Sequence, residues 1–117
     1  MSTDPRESSH LIHHNPRGLH QNPAFSQAVE VAPNTSLLFI GGQNGTDASG
    51  SIVGDTVETQ TTQALANVKT AVEAAGGSLA DIAKWTILAT DTGDVESGFS
   101  AFQSFWDPGI PPPAITV

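Results

Sequence analysis

Apolar positions spaced three and four residues apart predict a helix in the middle of the chain. Asp55 followed by Glu58 resembles an N-terminal capping box, and Gly76 supplies the left-handed residue that ends many helices. The spacing therefore predicts a helix bounded by Asp55 and Gly76. Its small and aliphatic stripe consists of Thr61, Ala64, Leu65, Val68, Ala71, Val72 and Ala75.

Two further elements follow this helix. After a second capping signal from Ser78 to Asp81, apolar and polar side chains alternate over residues 84–89, which predicts a strand. A second helix is predicted from Val95 to Trp106, with Asp94 as its N-cap. Its apolar stripe is largely aromatic, and such a stripe is more typical of a core than of a ligand site. Residues 114–117 begin a last strand.

Before the first helix, the pattern predicts strands. Residues 25–31 alternate between apolar and polar, and Leu37–Ile40 form a continuous apolar run after a turn at 33–35. The run predicts a central strand, covered on both faces or placed at a subunit contact, and antiparallel to residues 25–31. Residues 51–53 add a short strand. The element order indicates an α+β fold, with both helices packed on one face of a mixed sheet.

The first fourteen residues are polar and lack periodicity, which predicts a flexible tail before a single domain from residue 15 to 117. His10, His13 and His14 lie in this tail. On a helix their spacing would suit a metal, but no helical pattern supports one, so no metal site is predicted. The Gly41-Gly42 pair lacks the spacing of nucleotide-binding loops, so a close approach of backbone is preferred there.

Composition excludes several classes of function. Twelve Asp and Glu against four Lys and Arg give a net charge of −8, which opposes binding to nucleic acid. No apolar run approaches the ~20 residues of a membrane span. The chain has no cysteine, so disulfides and thiolate chemistry are absent. Without a secretory signal, the expected compartment is the cytoplasm. At 117 residues, oligomerisation would add useful burial.

Several short motifs occur in an order that resembles the Rid family, also called the YjgF family or, in older usage, endoribonuclease L-PSP. The resemblance covers residues 15–117. The motifs are Asn15-Pro16, Gly18-Leu19, the segment 22–29, Gly42-Gln43, Gln60-Thr61, Gln63, Leu65, Asn67-Val68, Ala75-Gly76 and Pro113-Ala114.

The resemblance implies a chorismate-mutase-like fold assembled as a homotrimer, with an inner β-barrel and ligand clefts between subunits. It also implies hydrolysis of reactive enamines and imines to 2-oxo acids and ammonia, without a cofactor, in a cleft where an arginine holds the substrate carboxylate. The family pattern continues for one loop and one strand beyond Val117. Either the last strand is missing or a neighbouring subunit covers the gap.

Carried over residue by residue, the family site changes character in this chain. Ile115 stands where the arginine follows Pro-Ala, and an aliphatic side chain cannot replace a bidentate cation. Phe25 replaces a tyrosine and Gly41 replaces a serine. The implied ligand-binding positions are Phe25, Gly41, Gln43, Phe99, Ile115 and Val117, and Arg17 is the candidate for a replacement cation.

Three functions follow as hypotheses. The first is an imine or enamine deaminase of altered specificity. The second is a non-catalytic trimer that binds a small molecule, which the more apolar site favours. The third, an endoribonuclease or translation inhibitor, is disfavoured because the chain is acidic and has no basic stripe.

Overall fold

The computed structural model describes residues 4 and 6–117. Its strands are β1 (Leu11–His14), β2 (Ala28–Val31), β3 (Lys84–Thr86) and β4 (Ala114–Thr116). The helices are α1 (Val57–Ala74) and α2 (Thr92–Phe105), and a 3₁₀ turn spans Leu79–Asp81. The described chain is therefore a small α+β protein, as the pattern of the sequence predicted.

These elements fall into two units. The strand unit contains the described residues up to Leu37, together with Gly77–Leu88 and Pro108–Val117, and it holds all four strands. The helical unit contains Leu38–Gly76 and Ala89–Asp107, and therefore both α-helices.

The first sheet of the strand unit includes residues that were predicted to belong to a flexible tail. β1 pairs antiparallel with β2, so that His13 lies opposite Val29 and His14 opposite Ala28. Leu11 and His13 are half-buried, whereas Ile12 and His14 are exposed. The prediction that the tail lacks regular structure up to His14 is thus wrong for Leu11–His14. The sequence Leu-Ile-His-His does not alternate between apolar and polar residues, so no strand period marks it. The strand forms through its pairing with β2.

The predicted strand at Leu37–Ile40 is also wrong. None of these residues belongs to a strand, and Leu37, Leu38 and Phe39 are 66%, 54% and 89% exposed. Hydrophobicity indicates where a chain gains by burial, but a strand also needs a partner for its backbone groups. β2 pairs with β1 and not, as predicted, with Leu37–Ile40. The short strand predicted at 51–53 is reduced to an isolated bridge between Thr46 and Ile52.

The second sheet of the strand unit is parallel. β3 pairs with β4, and Trp85 lies opposite Ile115. The Ile87 amide extends this ladder by donating to the Thr116 carbonyl at 2.8 Å. Instead of one mixed sheet, the described residues form two separate two-stranded sheets, one antiparallel and one parallel. Leu79, Ala80 and Ile110 supply buried side chains to this unit.

In the helical unit, α1 and α2 pack against each other. Both predicted helices are confirmed, with N-termini that differ from the predicted ones: Thr56 caps α1 and Asp91 caps α2. Gly76 has a φ of +88°, which agrees with its predicted role after the helix end. The buried side chains of the unit are those of Leu65, Val72, Ala101, Phe102 and Trp106.

The aromatic stripe of α2 serves the core. Phe102 and Trp106 are 6% and 7% exposed, and their rings stack with centroids 5.3 Å apart. This arrangement confirms the prediction that the stripe packs the interior. No helix among the described residues has both the length and the apolar character needed to span a bilayer.

Candidate functional site

The strand unit holds four of the residues implied as ligand-binding by the sequence. Ile115 is half-buried in β4, and Phe25 is half-buried just before the buried Ser26. Val117 follows β4 and is 63% exposed. Arg17 is exposed in the turn that precedes these residues. The side chains of Phe25, Ile115 and Val117 are apolar, so these three positions offer no charge to a ligand.

Hydrogen bonds from Ser26 bring Phe25 close to the start of β4. The Ser26 amide donates to the Pro113 carbonyl at 3.0 Å, and the Ser26 hydroxyl donates to the Pro112 carbonyl. Ser26 is 2% exposed, and Pro113 is fully buried. Because Phe25 precedes Ser26 and Ile115 lies two residues after Pro113, both residues belong to one local structure.

His13 completes this cluster, although sequence reasoning assigned it to the tail. Its Nδ1 lies 2.8 Å from the Ser26 hydroxyl oxygen. Burial lowers the pKa of His13, and the nearby Pro112 carbonyl opposes this effect by favouring the protonated ring. No alternation of apolar and polar residues marks Leu11–His14 in the sequence, so the inward-facing side chain of His13 is revealed only by the burial pattern of β1.

His14 points to the other side of β1. Its Nε2 lies 2.8 Å from a carboxylate oxygen of Glu30, and both side chains are about half exposed, at 50% and 58%. Successive residues of a strand face opposite sides, so His13 and His14 cannot share one ligand site. Among residues 4 and 6–117, no group of three His, Cys, Asp or Glu side chains is placed to hold a metal ion.

Arg17 lies in a turn closed by the Leu19 amide, which donates to the Pro16 carbonyl at 3.3 Å. Gly18 adopts a φ of +106°, which a residue without a β-carbon tolerates. Within the described part of the chain, the ion pairs involve other side chains, so the Arg17 guanidinium is not committed to a carboxylate. It is the one arginine in the family-like segment.

The other three implied residues belong to the helical unit. Gly41 and Gln43 are exposed, and the Gln43 side chain donates to the Gly41 carbonyl at 3.2 Å. Phe99 is half-buried in α2. The ligand-binding roles of all seven implied residues stay predictions.

The loop after Gln43 is fixed against α1. The Asn67 amide donates to the Thr46 carbonyl at 2.9 Å and to the Asn44 carbonyl at 3.2 Å. Between these carbonyls, Gly45 lies so close to α1 that an added β-carbon would come within 2.6 Å of the Gln60 α-carbon. The sequence pattern placed Asn67 on a polar helix face but gave no sign of this contact.

A groove of about 420 Å³ lies between α1 and α2 within the helical unit. Hydroxyl groups line much of it, and Glu58 provides the carboxylate. None of the implied ligand-binding residues lines this groove. Its lining consists of Val53, Glu58, Thr59, Thr62, Gln63, Ala66, Ser100, Ala101 and Ser104.

Comparison with known proteins relates most of this chain to one family. Residues 18–117 match the family described as endoribonuclease L-PSP. A RutC family protein from Pyrococcus horikoshii is 41% identical over 71 residues, which cover 60% of this chain and 54% of that protein. A 2-iminobutanoate/2-iminopropanoate deaminase from Salmonella typhimurium is 34% identical over 82 residues, or 70% of this chain and 62% of the enzyme.

A protein from Bos taurus with the same deaminase name is 32% identical over 88 residues, covering 74% of this chain and 62% of that protein. The chain therefore spans less than two thirds of the length of these three relatives.

Solved structures agree with the sequence matches. The conserved Rid family protein YyfB from Yersinia pestis superposes with a TM-score of 0.78 at 27% identity, covering 92% of this chain and 83% of that one. RidA from an Antarctic Psychrobacter gives a TM-score of 0.59 at 29% identity, covering 82% and 81%.

Proposed function

This chain belongs to the Rid (YjgF) family, the family described as endoribonuclease L-PSP, and from that membership we propose that it is an imine or enamine deaminase of altered specificity. In this reaction, water adds to the carbon of a C=N bond. The C–N bond then breaks, which leaves a carbonyl compound and releases ammonia. The proposed reaction consumes water and needs no cofactor.

One observation carries this proposal: relatives from a bacterium and from cattle share the name 2-iminobutanoate/2-iminopropanoate deaminase. The family's ribonuclease description points elsewhere. A net charge of −8 opposes the approach of a polyanionic backbone, because binding to nucleic acid depends on neutralising phosphates with Lys and Arg. The deaminase name is therefore the better guide to the chemistry.

The altered specificity rests on the side chains of Phe25, Ile115 and Val117. A 2-imino acid carries a carboxylate, which gains most from a charged hydrogen-bond donor. None of these three side chains can donate a hydrogen bond. We therefore expect imines without a carboxylate, or with a larger apolar substituent, to react better than 2-iminopropanoate.

Arg17 is the proposed exception to this apolar character. Its exposed guanidinium is not paired with a carboxylate within the described residues, and it is free to turn toward an anionic ligand. Arg17→Ala should then weaken binding of an anionic ligand while leaving a neutral ligand unaffected. Unchanged affinity for both ligands would remove Arg17 from the site.

We also propose that the active assembly is a homotrimer with an inner β-barrel and with ligand clefts between subunits. Exposure of Leu37, Leu38 and Phe39 supports an assembly, because consecutive exposed apolar side chains commonly mark an interface. The proposed compartment is the cytoplasm, as expected from the sequence.

The test is hydrolysis by the purified protein. 2-Iminopropanoate, 2-iminobutanoate and neutral imines are generated in the assay, and ammonia release is compared with buffer. Release above buffer, greater for neutral imines, is the expected result. Ile115→Arg should raise activity on 2-iminopropanoate about tenfold or more, because a charged hydrogen bond contributes roughly 1.5–3 kcal/mol. Thr116→Arg is the matched control, since Thr116 is the exposed neighbour in β4.

No release above buffer with any imine would exclude the deaminase. That result would favour the second candidate, a non-catalytic trimer that binds an apolar small molecule. The apolar side chains of Phe25, Ile115 and Val117 support this candidate as well. A ligand that binds the folded state raises the melting temperature by mass action, so thermal shifts against neutral and anionic metabolites test that candidate.

A further inference from the structure

Ser26 is the one polar side chain that is fully buried among residues 4 and 6–117. A buried hydroxyl is costly unless it is hydrogen-bonded, and here two other segments of the strand unit supply its partners. β1 contributes His13, the segment before β2 contributes Ser26 itself, and the segment before β4 contributes the Pro112 carbonyl. We call His13, Ser26 and the Pro112 carbonyl the Ser26 clamp.

Counting hydrogens fixes the direction of each bond in the clamp. A serine hydroxyl has one hydrogen, and that of Ser26 is donated to the Pro112 carbonyl. The Ser26 oxygen must therefore accept from His13, whose Nδ1 lies 2.8 Å away. A neutral His13 then carries its proton on Nδ1 and leaves Nε2 unprotonated.

We propose that His13 and Ser26 are positioning residues that hold Phe25 in place beside β4, with the His13 ring in the Nδ1–H tautomer. The Ser26 amide fixes the same place from the backbone, by donating to the Pro113 carbonyl at 3.0 Å. Pairing with β2 also fixes the backbone of His13, opposite Val29. The consequence for ligand binding rests on the proposed function, whereas the hydrogen bonds themselves do not.

The first test uses the unaltered protein. In a ¹⁵N-labelled sample above neutral pH, the His13 ring should show a protonated Nδ1 and an unprotonated Nε2. His14 serves as an internal comparison, because its Nε2 faces the Glu30 carboxylate and should carry the proton. A His13 ring protonated on Nε2 alone would overturn the clamp, since Ser26 would then lack a donor.

The second test measures hydrogen exchange of the Ser26 amide. His13→Leu removes the donor, and exchange of this amide should become about fivefold faster or more, as for loss of one hydrogen bond of ~1 kcal/mol. His13→Asn keeps an amide nitrogen close to the Nδ1 position and should restore slow exchange. His14→Asn, on the exposed side of the same strand, should leave exchange unchanged.

Amides of α1 separate a local effect from general loss of stability, because they belong to the helical unit. Their exchange should stay unchanged in His13→Leu. Two results in His13→Leu would contradict the clamp. The Ser26 amide could exchange as slowly as in the unaltered protein, or the α1 amides could accelerate as much as the Ser26 amide does.

The third test measures KM and kcat for the imine that the protein hydrolyses best. His13→Leu should raise KM severalfold with little change in kcat, and His13→Asn should restore KM. Faster exchange at Ser26 with an unchanged KM would show that the clamp does not position the cleft. If the unaltered protein hydrolyses no imine, the proposed function fails, while the tautomer and exchange results still decide the clamp.

Discussion

Gly45 shows how a single residue holds a loop against a helix. An added β-carbon would lie within 2.6 Å of both the Gln60 α-carbon and the Gln60 carbonyl oxygen, so the α1 backbone leaves it no room. The Thr46 and Asn44 carbonyls on either side accept from the Asn67 amide. Gly45 therefore allows the loop to approach α1, and the hydrogen bonds from the Asn67 amide hold the loop there.

Gly45→Ala should destabilise the protein by about 1–3 kcal/mol, the usual cost of overpacking. The midpoint of urea unfolding measures the change. Gly41→Ala is the matched control, because a β-carbon there meets nothing within 4 Å, and its cost should be no more than ~0.5 kcal/mol. Equal losses for both variants would contradict the close contact at Gly45.

His13 gives the protein a pH dependence with a definite sign. Burial holds the pKa of its ring below the ordinary value of 6.5. Between the folded and unfolded pKa values, the unfolded chain binds more protons, so stability falls as the pH falls. The contribution is fully present above about pH 6.5 and is lost as the pH drops through the folded pKa.

Unfolding midpoints between about pH 8 and pH 5 should therefore decrease toward acid. His13→Asn should flatten this decrease, because asparagine does not titrate. Asp47, whose pKa is lowered chiefly by a hydrogen bond from Ser49, titrates below its ordinary value of 3.8 and so does not affect this range. A pH profile unchanged in His13→Asn would contradict the burial of His13.

At the scale of elements, the start of α1 shows the limit of a capping motif. Asp55 with Glu58 resembles a capping box, yet α1 begins at Val57 with Thr56 as its N-cap. The Thr56 hydroxyl oxygen accepts from the Thr59 amide at 3.1 Å. Threonine and aspartate are both good N-caps, so sequence preference alone cannot choose between neighbouring candidates.

Thr56→Ala should cost about 1 kcal/mol, the typical loss of an N-cap bond. Asp55→Ala, which removes the candidate favoured by the sequence, should cost less than half as much, because only its charge near the helix N-terminus is lost. Chemical unfolding of both variants decides the cap. The reverse order of costs would place it at Asp55.

At the scale of the whole molecule, the exposed segment Leu37–Phe39 is the candidate interface of the proposed trimer. These side chains are more than half exposed, and burial of apolar area gains about 25 cal/mol per Å². A small domain has a limited core of its own, so an interface adds stability that the monomer lacks.

Light scattering should give three times the chain mass of 12.1 kDa. Phe39→Glu should shift the protein toward monomer, because Phe39 is 89% exposed and a buried carboxylate would be costly in an interface. Thr70→Glu adds the same charge at an exposed position of α1 and should leave the mass unchanged. A monomeric unaltered protein would contradict the trimer.

The sequence by itself determined the elements whose signals are local. The two helices, the end of α1 near Gly76 and the core role of the α2 aromatics follow from periodicity, because a helix makes its hydrogen bonds within one segment. The strand at Lys84–Thr86 and the last strand at Ala114–Thr116 were also predicted, as was the family.

Only the tertiary structure decided how distant segments meet. Leu11–His14 became a strand because β2 pairs with it, and Leu37–Ile40 did not, although its side chains are more apolar. His13 likewise gained its contact with Ser26 from that pairing. Strand pairing and buried hydrogen bonds need partners from elsewhere in the chain, and the choice of partner is not encoded in any single segment.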